Sequence, residues 1–431
     1  MDLAEFDRVA AAFATFHAQF ARFFGRTEAR RRSEQYVRGL LVQQTDRRNA
    51  ENVAEAVGDA TARSLQRLLT EAPWKSAPVI DALQGYLAPR LAAPLGVFVL
   101  DESGFPKKGA KSVGVARQYC GTLGKVGNCQ LGVFLAYVSE RGHALIDARL
   151  YLPREWTDDR ARCRAAGVPD EVDYQSKAEL GLAMLQQARQ VGQLTGRWVT
   201  ADEDYGKVPS LRAALDAEGW WYVLEVPSTT PVFVEAAEAA VPAWSGRGRK
   251  PTRLRLVEGA RRAQTVQEWA AGVEQTRWQV VTVAEGAQGP RSYQFVAQLV
   301  WESREGVPGR QSWLIVRRNL DGSELKYYLS NAPAETPLPT LAQVGAWRWP
   351  IETEFQTEKS ETGLDEYEVR GWDGWQHHMT LALLAGAFLL TVQQDWGKKS
   401  ARPDMPPGEP RAAGVAAASN LDQSRPEAVA A

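Results

Sequence analysis

The chain has 431 residues, 44% hydrophobic and 24% charged, ordinary values for a globular protein with room for two or three domains or one core with a large insertion. A net charge of −1 argues against an overall basic nucleic-acid binder, so any surface for a polyanion has to be local. Cys120, Cys129 and Cys163 have no CxxC spacing and the four histidines are scattered, which argues against a disulfide framework or a zinc cluster.

Residues 1–90 read as a helical N-terminal domain, with Phe6, Val9, Phe13, Phe16 and Phe20 at three- and four-residue steps. Between Arg22 and Arg48, eight arginines face three acids, Glu28, Glu34 and Asp46: a solvated face or a phosphate-contacting helix. From Gly96 the period becomes that of a strand. Val97–Leu100 is a short apolar run expected to end in a turn at Asp101-Glu102-Ser103-Gly104. Gln130–Val138 and His143–Leu152 read as a hairpin, Lys177–Val191 as a helix, and Arg197–Asp202 as a strand ending in acid. Pro209–Glu218 reads as a helix and Trp220–Val226 as a strand. Residues 91–228 are thus the first part of a core in which acids end the first and fourth strands.

Residues 229–340 read as a mostly β insertion, with β-prone runs at Trp278–Val283, Ser292–Val300, Trp313–Arg317 and Lys326–Ser330. The second part of the core, 341–397, holds a helix at Ile351–Lys359, with Pro350 suited to its first turn, and a buried helix at His378–Gln393. The apolar run Met379–Val392 is too short to span a bilayer and no signal peptide is visible, so a soluble, intracellular protein with no membrane partner is expected. The tail 398–431, full of Pro, Ala, Gly and Ser, reads as disordered.

Glu352 and Lys359 lie two helical turns apart and share a face with Phe355. That layout can hold a metal ion while steadying a phosphate; the alternative is a surface helix of mixed charge. A metal here would be held by carboxylates, the oxygen donors that suit Mg²⁺ or Mn²⁺. Two acids at adjacent strand ends and a third from a late helix suit a two-metal site. There one ion activates water or a 3′-hydroxyl and the other stabilises the leaving oxygen, about 4 Å away.

Three blocks in order carry a family resemblance. Leu100–Gly109 with Ser112–Tyr119 resembles the first-aspartate block of a subgroup of bacterial insertion-sequence transposases of the DDE type. Ala201-Asp202-Glu203-Asp204-Tyr205-Gly206 resembles the second block. Arg348, Glu352 and Lys359 resemble the R-x3-E-x6-K part of the YREK signature, with Gly345 where its Tyr belongs. Tyr367-Glu368-Val369-Arg370 and His378-Met379-Thr380-Leu381-Ala382 follow, so the resemblance covers roughly residues 30–395.

The resemblance implies an α/β fold: a ribonuclease-H-like mixed sheet flanked by helices, interrupted by the β insertion, behind an N-terminal helical DNA-binding domain. It implies a metal-dependent endonuclease that cleaves and transfers strands at the terminal repeats of an insertion sequence. Asp101, Asp202 and Glu352 would be the catalytic ligands of two Mg²⁺ or Mn²⁺ ions, and Arg348 and Lys359 would touch phosphates near the cut. The implied partner is double-stranded DNA, both transposon ends and target, bound by a homodimer in the bacterial cytoplasm at the nucleoid. Two alternatives stay open, a catalytically idle DNA-binding regulator and a nuclease without strand transfer.

Local alternatives also stay open. Glu203 and Asp204 compete with Asp202, and Glu354 and Glu358 with Glu352. Lys107, Lys108 and Lys111 are DNA contacts or a solvated basic loop. The strongest basic patch, Trp244–Pro251 with Arg247, Arg249 and Lys250, continues to Arg253, Arg255, Arg261 and Arg262. Its glycine-flanked arginines suit a narrow minor groove; the alternative is an exposed loop. A tryptophan of the insertion would, by the same resemblance, stack on a flipped base. His377, His378 and the cysteines read as structural.

Overall fold

The computed structural model describes residues 3–42, 47–286 and 289–397; the tail from 398 and Asp46 of the arginine run lie outside them. Five helices open the chain: α1 (Leu3–Phe20), α2 (Thr27–Leu41), α3 (Ala50–Val57), α4 (Ala62–Thr70) and α5 (Ser76–Leu91). Local signals set their ends. Asn49 caps α3 by accepting from Glu51 N and Asn52 N, and Gly58, with φ 75°, closes it. Val9, Phe13, Phe16 and Phe20 of α1 are buried, as their spacing demands.

Strands β1 (Val97–Pro106), β2 (Ala116–Cys120), β3 (Lys125–Ser139) and β4 (Gly142–Tyr151) follow, then α6 (Arg154–Thr157), α7 (Arg160–Ala165) and α8 (Lys177–Val191). β3 and β4 form the expected hairpin, with Ser139 opposite Gly142. The expected turn at 101–104 is absent: β1 runs for 10 residues, and Asp101 lies inside it. Two contacts carry the strand on. Phe105 is fully buried, 6.2 Å from the Phe134 ring and 5.8 Å from that of Tyr367, and Lys107 N donates to Asn128 O at 3.0 Å. The charge that made the segment look turn-like, on Glu102, is neutralised by an ion pair with Lys177.

Next come β5 (Trp198–Ala201), α9 (Glu203–Gly206), α10 (Pro209–Ala217), β6 (Trp221–Val226), β7 (Pro231–Phe233), β8 (Ala239–Ala240), β9 (Arg255–Leu256), β10 (Gln264–Thr265) and α11 (Val266–Ala271). The long strands β11 (Gln279–Gly286), β12 (Gly289–Arg304) and β13 (Val307–Arg318), the shorter β14 (Lys326–Ser330) and helix α12 (Leu338–Ala346) complete this stretch. α13 (Trp349–Thr362) has Pro350 in its first turn, and α14 (Trp372–Trp396) ends the described chain.

The chain forms two compact units, one of residues 1–96, 101–196 and 350 onward, the other of 97–100 and 197–349. In the first, β1 neighbours β3, which pairs antiparallel with β2 and β4. Its centre is α14, 25 residues long and apolar almost all round because other elements surround it. Phe388 meets Phe13 at 5.1 Å and Phe16 at 5.4 Å, and Tyr86 bonds Thr391 at 2.8 Å. The helix is longer than the expected His378–Gln393 because Trp375 and His377 are buried as well. Among the described residues no helix is long and apolar enough to cross a membrane.

In the second unit the strand order is β10-β7-β12-β13-β14-β6-β5, with the first four residues of β1 beyond β5. β1, β5 and β6 are parallel, and the other pairs are antiparallel. Val226, Val296, Val300, Leu314, Val316 and Leu329 pack with Trp269 of α11 into its core. The sheet is therefore mixed and the fold α/β.

Candidate active site

In the second unit, Leu100 pairs with Ala201 in parallel register. Each is followed in the chain by an aspartate, Asp101 and Asp202. Asp202 caps α9: its carboxylate accepts from Asp204 N at 2.9 Å and Tyr205 N at 3.4 Å. Burial pushes its pKa upward, while the Arg348 guanidinium pulls it back. Asp204 is exposed and ion-paired with Lys207. The two local rivals therefore differ in surroundings, one half-buried and held by backbone amides, the other solvated.

The Tyr205-Gly206 pair of this block has a packing reason. Tyr205 is 1% exposed, and a Cβ at Gly206 would lie 1.8 Å from Glu225 O on β6. Only glycine permits that approach. Arg348 sits 3.8 Å from Glu225, which also pairs with Lys326 at 3.2 Å, so its charge is engaged within the unit. Gly345, where the expected signature would have its tyrosine, is closely neighboured by β6 and β14 side chains. A Cβ there would be 3.3 Å from Val223 Cγ1 and 3.8 Å from the Tyr328 ring.

In the first unit, Asp101 is 8% exposed and its Oδ1 accepts from Glu102 N at 2.7 Å. On α13 the three competing acids separate by environment. Glu352 is exposed in the first turn. Glu354 pairs with His143 at 3.0 Å. Glu358 is buried, and burial, with Glu354 beside it, raises its pKa well above the carboxylate range. Phe355 packs on Phe134 at 5.0 Å and so orients the helix. Lys359 donates to Thr122 Oγ1 at 3.1 Å; burial lowers its pKa.

Of the proposed DNA contacts, Lys108, Arg247, Arg249 and Lys250 are exposed, the last three on a segment turned by Gly246 (φ 83°) and Gly248 (φ 74°). Arg253 and Arg261 of the same patch are paired with Glu305 and Glu235. Lys107 differs from its neighbour: its amine donates to Tyr367 O at 3.2 Å and lies 3.6 Å from the Tyr367 ring centre, and burial lowers its pKa to about 8. It joins the segment after Pro106 to the stretch before α14. His377 bonds Leu69 O and Trp74 O, His378 bonds Tyr36, and all three cysteines are buried, so these residues serve the core.

Three pairings have no local signature in the sequence. Arg212 and Glu302, 90 positions apart, form an ion pair at 3.0 Å, buried in the second unit, and Ser312 also donates to Glu302. The Glu102–Lys177 and His143–Glu354 pairs flank the candidate ligands in the first unit. The only local hint is a charged residue at the end of an apolar run, as where Glu302 follows Leu299-Val300-Trp301.

A sequence family described as DDE superfamily endonuclease matches residues 19–290. That span holds Asp101 and Asp202 and stops before Arg348, Glu352 and Lys359. No curated protein matches the chain significantly in sequence. Among solved structures, a piggyBac transposase in a synaptic complex with hairpin DNA is similar at 9% identity and a TM-score of 0.39, over 84% of this chain and 66% of that one. This chain thus spans just under two thirds of that protein's length. The NurA nuclease from Sulfolobus solfataricus is similar at 9% identity and a TM-score of 0.24, over 70% of this chain and 85% of that one. With more than half of its length matched, this chain belongs to the DDE superfamily endonuclease family.

Proposed function

We propose that the chain is a DNA transposase with a ribonuclease-H-like catalytic core, cutting and joining DNA at the terminal repeats of a bacterial insertion sequence. The observation that carries this reading is the parallel register of Leu100 with Ala201, each followed by an aspartate, within the span matched to the endonuclease family. In this reading Asp101, Asp202 and Glu352 hold two Mg²⁺ or Mn²⁺ ions. Among the described residues no group of three or more His, Cys, Asp or Glu is arranged to hold a metal. The chemistry of the two strand acids nonetheless suits a hard cation. Both are oxygen donors, and burial makes the charge of Asp202 costly, a cost that a bound cation would offset. Bound ions supply the charge that activates an attacking oxygen and stabilises a leaving one.

The chain's own residues do the rest. Backbone amides of α9 fix the direction of the Asp202 carboxylate, and Lys177 keeps Glu102 from competing with Asp101. Lys108, Arg247, Arg249 and Lys250 bind phosphates through exposed charge, with Lys359 and Arg348 nearer the cut. Two ends must be cut together, so a homodimer on DNA is part of the reading, acting at the bacterial nucleoid.

Glu352→Gln tests it: a neutral amide is a poor ligand for Mg²⁺. Cleavage of transposon-end DNA is expected to vanish while binding persists. Near wild-type cutting by the variant would remove Glu352 from the site. A wild-type chain that never cuts would favour the idle regulator, and cut but unjoined products the simple nuclease.

A further inference from the structure

The hairpin of β2 and β3 presents an unusual face. Tyr119 and Val126 are opposite partners in its ladder, and Arg117 and Asn128 form the next pair on the same side. Tyr119 is 58% exposed, Val126 53%, and Leu123 in the closing turn 41%. The opposite side is anchored, with Cys120 and Cys129 fully buried. One side therefore holds the hairpin in place, and the other offers the Tyr119 ring and the Val126 side chain to the surroundings.

The stretch of chain that carries this hairpin has one sign of charge. From Ser103 to Ser139 the chain has five lysines and arginines and no aspartate or glutamate. Asn128 Nδ2 donates to Lys107 O at 2.7 Å and Gly109 O at 2.8 Å, tying the loop that bears exposed Lys108 and Lys111 to this hairpin. Thr122 in the turn donates to Gly104 O at 2.8 Å and receives Lys359 Nζ at 3.1 Å. The tip is thus fastened to the strand that bears Asp101 and to the helix that bears Glu352.

We propose that this tip is a stacking platform for an unpaired DNA base. Tyr119 supplies the ring, Val126 the apolar border, and Arg117 on the same side, with Lys108 and Lys111 of the adjoining loop, the charge for flanking phosphates. An apolar cluster set among cations fits a ligand that is both aromatic and polyanionic. A second copy of the same hairpin would bring like charge against like charge, and a fully stacked duplex offers no free base face. The inference rests on the reading that this protein acts on DNA.

Fluorescence anisotropy with two labelled DNAs of equal length tests it, one blunt and one ending in unpaired nucleotides. The wild type is expected to prefer the unpaired end. Tyr119→Ala should lose roughly ten-fold on that probe and little on the blunt one, and Tyr119→Trp should retain binding. The position is exposed, so an unchanged melting temperature confirms that both variants fold. Equal losses on both probes, or none on either, would overturn the platform while leaving DNA binding intact. So would Tyr119→Ala turning a dimer into a monomer without touching DNA affinity, since the face would then join two copies. A wild type that binds neither probe would remove the DNA reading and this inference with it.

Discussion

The carboxyl group of Glu358 fills the space that Gly386 leaves empty: a Cβ at 386 would lie 1.7 Å from Oε1. Thr362 Oγ1 stands 2.6 Å from Oε2 and 2.7 Å from Glu358 O. One hydroxyl hydrogen cannot serve both acceptors, so a protonated carboxyl donating to Thr362 completes the set. Burial raises the pKa well above 4.5. The native state therefore holds a proton that the unfolded chain releases, and stability from this group is present below pH 4.5 and lost as pH rises through the folded value. Glu358→Gln keeps the shape without that loss. Its stability relative to the wild type should rise by about 1 kcal/mol or more between pH 5 and pH 8 in urea titrations. Parallel curves would mean that the carboxyl is not kept neutral.

Gly206→Ala should cost about 2–3 kcal/mol, because the added methyl meets backbone, not a movable side chain, on β6. Denaturant midpoints check this. A variant as stable as the wild type would mean that α9 can shift away from Glu225.

The two acids of the second block give opposite expectations. Asp202→Asn keeps the cap of α9, since Asn caps as well as Asp, yet removes the charge a divalent ion needs. It should fold normally and lose metal-dependent cleavage. Asp204→Asn breaks only an exposed pair with Lys207 and should leave most of the activity. Cleavage assays across Mg²⁺ concentrations distinguish them, and the reverse outcome would move the ligand to Asp204.

Acid should weaken the first unit through its buried imidazoles. Burial lowers the pKa of His17 to about 4 and that of His378 to about 3, against 6.5 in an unfolded chain. Their neutral forms contribute fully above pH 6.5, and that contribution fades as pH falls toward the folded values, by up to about 1.4 kcal/mol per pH unit for each group. Relative to His17→Gln, the wild type should therefore lose stability between pH 7 and pH 4.5. A constant difference would mean that His17 takes up its proton while folded.

What the sequence made legible was local. α8 begins at a capping box of Ser176 and Glu179 and ends at Gly192 (φ 67°), signals that stand beside an uninterrupted helical run. β12, β13 and β14 follow β-prone runs bounded by turn residues. What stayed hidden depends on partners distant in the chain. β1 continues past Asp101 because Phe105 meets Phe134 and Tyr367, and no pattern within 101–104 reveals them. Lys107 and Lys108 look alike in sequence, yet Tyr367, 260 positions away, takes one of them out of solvent. Likewise Glu354 is set apart from Glu352 by His143 on β4, a contact that helical spacing cannot encode.

Strand β1 belongs to both compact units, its first four residues to one and the rest to the other. The chain accordingly passes between the units four times, after residues 96, 100, 196 and 349, and no single cut releases either one whole. A fragment ending at Gly196 would strip β5 from Val97, Phe98, Val99 and Leu100, none more than 1% exposed in the intact chain. Four bare apolar residues on an unpaired strand edge invite aggregation. A truncation there would then report insolubility and not function, so the division of labour between the two units is better sought by point substitution than by cutting the chain.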